Sequence, residues 1–294
     1  MSNIYNNYLS KKKLISTQHI ILFSIGWAVL ALLYFLLFSA KVPGADGVSQ
    51  RSEWYVMGTN IFEALAYLLA SVLCLRNWRS PQIVSSKPVW LLIGMGMLSY
   101  FLGGIFFGYT EIVLKAEPIV SVGDIFFVIS YILVGAGIFL AFTSRRINLE
   151  IWQWVIVLAI AVFGSALAWV LSIPVEGAEA AQQQLPAWVE TIAPILSWFY
   201  IISDVLLLII ATTLLLAFWG GRVSLSWRMI AAASFSLYIA DMWFKYASRY
   251  PNYESGDILE VFWVFSGVLF GMGAVLEYDA SLNRLRRSSG RKRA

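Results

Sequence analysis

Six carboxylates stand inside or at the edges of the long apolar stretches of this chain: Glu63, Asp124, Asp204, Asp241, Asp257 and Glu260. The one strong cation among them is Lys245, four residues after Asp241 and therefore on the same face of a helix. A charge surrounded by hydrocarbon costs several kcal/mol unless it meets a partner or water, so each of these residues needs a reason to be there. Three kinds of chemistry fit. The set could be a polar network fixing helix packing, with Lys245 as counter-ion. It could line a cavity for a ligand or ion, or form a pathway for protons. Tyr100, Tyr131, Tyr200, Tyr238 and Tyr246 are placed to donate hydrogen bonds to the carboxylates, and Trp198, Trp243 and Trp263 to wall a cavity. The expected cavity set is Asp124, Asp204, Asp241, Lys245, Glu63, Asp257, Glu260, Tyr200 and Trp263.

Catalytic arrangements find little to work with. His19 and Cys74 are the sole histidine and cysteine. They permit no disulfide within the chain, no cysteine metal site, and no histidine pair for haem or zinc. A Ser-His-Asp set fails because His19 lies at the opposite side from the acids. Intramembrane aspartyl enzymes use Gly-x-Gly-Asp and Tyr-Asp, which neither Val122-Gly123-Asp124 nor Ile202-Ser203-Asp204 matches. The glycine strings, such as Gly94-Met95-Gly96 and Gly135-Ala136-Gly137, lack the Lys-Ser/Thr of a phosphate loop and read as close helix contacts. No catalytic residue, metal ligand or cofactor is assigned.

The elements that must position these residues are transmembrane helices. The chain is 60% hydrophobic and 13% charged, with a mean hydropathy of +0.74. Soluble domains carry about 25% charged residues, too many to match this surface. Eight runs are long enough to cross a bilayer: 18–40, 54–75, 89–110, 121–143, 151–173, 190–218, 227–248 and 258–278. Short connections with Pro43-Gly44, Pro81, Pro118, Pro174, Gly220-Gly221 or Pro251 separate them. The fold expected is all-α, a polytopic helical bundle of about eight spans. Tryptophans at 54, 78, 90, 152, 154, 188, 219 and 227 fall near span ends, where an interfacial belt belongs.

Charge sets the orientation. The N-terminal segment, alternate loops and the tail hold 16 of the 21 basic residues and three of the 17 acids. By the positive-inside rule that side is cytoplasmic, with both ends of the chain on it and all six apolar-run acids in the outer half. The division expected is a cytoplasmic segment 1–17, a membrane domain 18–278 and a basic tail 279–294. Arg284, Arg286, Arg287, Arg291, Lys292 and Arg293 would bind anionic headgroups or a cytoplasmic or membrane-protein partner. This placement makes the basic balance a sign of topology and gives nucleic acid no role. A bacterial plasma membrane or an internal membrane such as a thylakoid fits.

The halves 18–145 and 150–278 share landmarks in the same order. Trp90 and Trp227 open spans three and seven, and Gly123-Asp124 and Gly256-Asp257 open spans four and eight. Glu63 to Trp78 matches Asp204 to Trp219 at one constant offset. A duplicated four-span unit, with parallel copies, is the expected origin.

These landmarks resemble the multi-span sensor-like membrane region found before diguanylate cyclase, phosphodiesterase or histidine kinase modules in bacteria and archaea. Ser121-Val-Gly-Asp124 with Phe127 is similar to that family's Pro-Ser-x-x-Asp-x-x-Tyr, and Tyr200-Ile-Ile-Ser-Asp204 to its Tyr-Pro-Leu-x-Asp. Trp227, Asp241, Tyr253-Glu-Ser-Gly256 and Glu260-Val-Phe-Trp263 follow its closing pattern, with Glu260 for an Asp. Both expected prolines are absent. The resemblance covers about residues 54–278 and implies an input or interaction domain without chemistry of its own, here free-standing and acting through a partner. The alternative function is a small transporter or channel with the acids as its ion site.

Overall fold

The structure, a computed structural model, describes residues 16–43, 49–83, 85–115, 119–143, 149–173, 186–217, 224–250 and 253–291; the side chains of 224 and 286–291 are outside that description. Its described part holds eight long helices. They are α1 (Thr17–Phe38), α2 (Glu53–Arg79), α3 (Lys87–Ile112), α4 (Val122–Thr143), α5 (Ile151–Val170), α6 (Ala187–Ala217), α7 (Ser224–Ala247) and α8 (Val261–Arg291). A hairpin of β1 (Val42–Pro43) and β2 (Ser49–Gln50) joins α1 to α2, and a 3-10 turn, Ile258–Glu260, leads into α8.

Local chemistry explains the helix starts. Ser16 caps α1 by accepting from the His19 amide, Pro88 stands in the first turn of α3, and Glu150 with Gln153 closes a reciprocal capping box on α5. Seven helices are long and apolar enough to cross a membrane, which makes this a multi-pass membrane protein. The eighth, α7, has 24 residues, enough length at about 1.5 Å rise each. Arg228, Asp241, Lys245 and a run of Ala and Ser dilute its hydropathy. Its neighbours compensate, because α6 and α8 flank it and bury Ala233, Ala240, Ile230 and Trp227.

The exterior is apolar and the interior partly polar, as hydrocarbon solvent requires. Leu22, Leu30 and Leu37 of α1 and Val155, Leu158 and Phe163 of α5 face outward, while Ser71, Asn77, Ser226 and Ser266 are buried. Helices α1 and α5 are the peripheral pair, each only 17% buried along its span. The main core runs through α2, α3, α4, α6, α7 and α8. Side-chain hydrogen bonds to backbone hold these helices together. Ser71 Oγ donates to the Gly94 carbonyl at 2.9 Å, Asn77 Nδ2 to Ala274 at 2.8 Å and Ser226 Oγ to Gly273 at 2.7 Å.

Two sequence expectations change here. Trp90 and Trp227 are buried instead of interfacial, their rings 6.0 Å apart in the core, with Trp90 Nε1 donating to Ser85 Oγ at 2.8 Å. Both rings belong to the main core shared by α2, α3, α4, α6, α7 and α8, so packing turns them inward although they stand near helix starts. The last helix also does not stop at 278. It continues to Arg291, so most of the expected tail is helix, with Arg284 exposed. Lys292 and Arg293 lie outside the described residues, as do Lys11 to Lys13, Arg145, Arg146 and Arg222. Thr17 Oγ1 donates to Asp279 at 3.3 Å, which sets the start of α1 beside the far part of α8.

Close contacts depend on missing side chains. A Cβ on Gly137 of α4 would lie 2.8 Å from Ile93 Cγ1 and 3.2 Å from Ile93 N, whereas one on Gly26 of α1 would meet nothing within 4 Å. Gly137→Val should therefore lower the thermal midpoint in detergent, at a cost of about 1–3 kcal/mol. Gly26→Val should leave it unchanged. Equal effects would refute the packing of α3 on α4.

Candidate ligand cavity

The end of the bundle away from Arg76, Arg79 and Arg228 contains a cavity of about 370 Å³. Every helix except α5 contributes to its wall. Glu63, Asp124, Asp204, Asp241, Lys245, Glu260, Tyr200 and Trp263 all line it, so eight of the nine expected residues come together. The ninth does not.

At its centre the Tyr131 hydroxyl contacts both Asp204 Oδ1, at 2.6 Å, and Asp241 Oδ2. These three residues come from α4, α6 and α7, so one phenol links three helices. Trp263 Nε1 of α8 donates to the other Asp241 oxygen at 2.8 Å. Asp204 is only 2% exposed, and among the described residues its Oδ2 has no hydrogen-bond partner. Burying an unpaired carboxylate oxygen is costly, so this atom is poised for a donor. Hydrogen counting adds a constraint. Two hydrogen bonds need two hydrogens, a phenol supplies one, and the second must sit on one of the carboxyls.

The other acids are occupied in different ways. Asp124 accepts from Tyr200 at 2.8 Å and reaches back to the Ser121 amide at 2.7 Å, closing the N-terminus of α4. Its sequence position served a cap as well as a cavity. Glu260 accepts from the Gly256 amide at 2.7 Å and from the Tyr253 hydroxyl at 2.5 Å. Burial, with Glu260 beside it, pushes the Tyr253 phenol above its ordinary range, so it remains a donor. Glu63 faces the cavity with no hydrogen bond to any described residue.

Asp257 leaves the expected set because Arg51 takes it. The Arg51 guanidinium, 7% exposed, pairs with Asp257 and donates to the Glu254 carbonyl and, from Nε, to Ser39 O at 3.2 Å. Its amide donates to the Glu254 carboxylate at 2.6 Å, and Lys41 pairs with that carboxylate at 3.0 Å. Tyr55 donates to the Gly256 carbonyl at 2.6 Å, and Gly256 adopts a left-handed φ of +100°. A side chain there would be strained and would collide with Tyr55. This clasp fixes the segment that carries Glu260 into the cavity.

Lys245 is also corrected. It shares the face of Asp241 but donates to Ser197 Oγ on α6 at 2.6 Å and forms no ion pair with Asp241. Trp198 and Trp243 do not wall the cavity; Trp198 is exposed and packs on Trp169, at 6.3 Å. Tyr238 donates to the Gly164 carbonyl at 2.9 Å rather than to an acid. Sequence reasoning missed Glu111, Asn60, Ser197 and the role of Arg51. Glu111 carried a signal, being an acid at the end of an apolar run. Among the described residues, no three acids, histidines or cysteines converge closely enough to hold a metal ion.

The two ion pairs at this end should differ in weight. Arg51→Met leaves Asp257 and three carbonyls, of Ser39, Glu254 and Ser255, without their donor and should cost about 3 kcal/mol, at the low end of values for buried pairs because Asp257 is partly exposed. Lys115→Met breaks the exposed Lys115–Glu53 pair and should cost less than about 1 kcal/mol. Thermal unfolding of both variants in one detergent checks the order.

The chain matches no family model, and neither a curated protein nor a solved structure matches it.

Proposed function

We propose that this is a non-enzymatic, sensor-like membrane protein that takes up a small ligand in the cavity and acts through partners at the opposite, basic end. One observation carries the reading: a single cavity draws its wall from helices of both halves and contains a buried acid, Asp204, with an oxygen lacking a partner. A ligand there would touch α2, α3 and α4 together with α6, α7 and α8. It could shift their packing by as much as its affinity for two packings differs. The positive-inside rule puts the Arg76, Arg79 and Arg228 end in the cytoplasm and the cavity outside.

Tandem duplication belongs to the same reading. Gly137 of α4 meets Ile93, three residues after Trp90, and Gly273 of α8 meets Ile230, three residues after Trp227. Such matched contacts support two parallel copies. A second reading is proton movement, favoured by the Tyr131 link between Asp204 and Asp241.

Two measurements separate them. Removing residues 283–294 should leave thermal stability unchanged and abolish co-purification of a partner from native membranes. Reconstituted liposomes should show no proton flux above empty ones. A flux that Asp204→Asn removes, with partner binding indifferent to the truncation, would replace the sensor-like reading with transport.

A further inference from the structure

Resting on the reading of the cavity as a ligand site, we infer that its occupant is a small protonated amine with an apolar or aromatic body. Among the described residues the wall carries six carboxyls, those of Glu63, Glu111, Asp124, Asp204, Asp241 and Glu260, against one ammonium, Lys245. Even with one hydrogen shared through Tyr131, acidic groups on this wall outnumber the ammonium, so an anion finds little to pair with. A neutral polyol could fill hydrogen bonds but would bring no cation to an acid-rich, low-dielectric site. A bare metal ion does not fit, because no three of the described acids converge on one point.

The choice of amine follows from the unsatisfied atoms. Asp204 Oδ2 is buried without a donor, and Glu63 has no hydrogen bond to a described residue. Carboxylates only accept, so the complement is a cation bearing N–H groups rather than a quaternary one. Tyr100, Phe127 and Trp263 add aromatic rings to the same wall, suited to an apolar or aromatic body. At about 370 Å³ the cavity greatly exceeds a water's share of roughly 30 Å³ and lies in the range of small-molecule sites. Lys245 is a tethered competitor on this wall, held aside by Ser197.

The test uses the full-length protein in nanodiscs, with empty nanodiscs as control, titrated calorimetrically with three isosteres: 2-phenylethylamine, 2-phenylethanol and 3-phenylpropionate. The amine should bind saturably, and the alcohol and acid at least about tenfold more weakly, a difference of about 1.4 kcal/mol. Glu63→Gln and Asp204→Asn should each weaken amine binding about tenfold or more, whereas Lys245→Met should strengthen it. A wall that matters only for packing would not yield that gain. Equal saturable binding of the alcohol would overturn the amine and leave the cavity as a ligand site. Amine binding indifferent to both acid variants, or no saturable binding of the amine, would overturn the inference as well. The isostere comparison needs only the native chain, so a variant that fails to fold does not remove the test. The truncation experiment judges the sensor-like reading separately.

Discussion

Tyr131 holds two carboxylates apart and together at once, and the polar interior of this bundle is organised around that contact. Asp204 and Asp241 come from neighbouring helices, and like charges there would push α6 and α7 apart. The phenol between them, with one further hydrogen, turns a repulsion into two hydrogen bonds. Trp263 then secures Asp241 from α8. Four helices from both halves of the chain therefore meet at one polar node, in a solvent that gives no hydrophobic drive to helix association.

The two ends of the bundle solve different problems. Towards the basic end, packing is dry and close: Trp90 lies near Trp227, and serine and asparagine side chains bond to backbone carbonyls. At the acidic end the helices enclose space instead. The wall there is stabilised from outside the cavity, by Arg51 gathering Ser39, Glu254 and Asp257, and by the Tyr253 and Gly256 bonds to Glu260. These bonds leave the Asp204 side with an open requirement. That open requirement is what the proposed ligand site rests on.

Much of this was legible from residue types. Apolar runs interrupted by proline and glycine placed the helices to within a few residues, apart from the far end of α8, because bilayer thickness dictates their length. An acid in such a run must face inward, which is why Asp204, Asp241, Glu63 and Glu260 were recognisable as one group before any contact was known. What failed were inferences that depend on partners distant in sequence. Lys245 shares a face with Asp241, but Ser197 of another helix captures it. Asp257 looks like a match for Asp124, yet Arg51 claims it across the hairpin. Trp90 and Trp227 fit the belt by position, and only the packing of helices shows that they are core. The tail basic residues beyond Arg284 lie outside the described side chains.

The hydrogen between the central acids can be observed directly. Infrared spectroscopy of the purified protein, in an ester-free detergent at neutral pH, distinguishes a protonated carboxylic acid from a carboxylate by its carbonyl stretch. A protonated-acid band should be present in the native chain, and the same component of it should be lost in both Asp204→Asn and Asp241→Asn, because either change dissolves the shared pair. Tyr131→Phe should shift that band by removing the phenol that bridges the acids. A native spectrum without such a band, or one that survives both acid substitutions unchanged, would contradict the shared hydrogen and the polar node built on it.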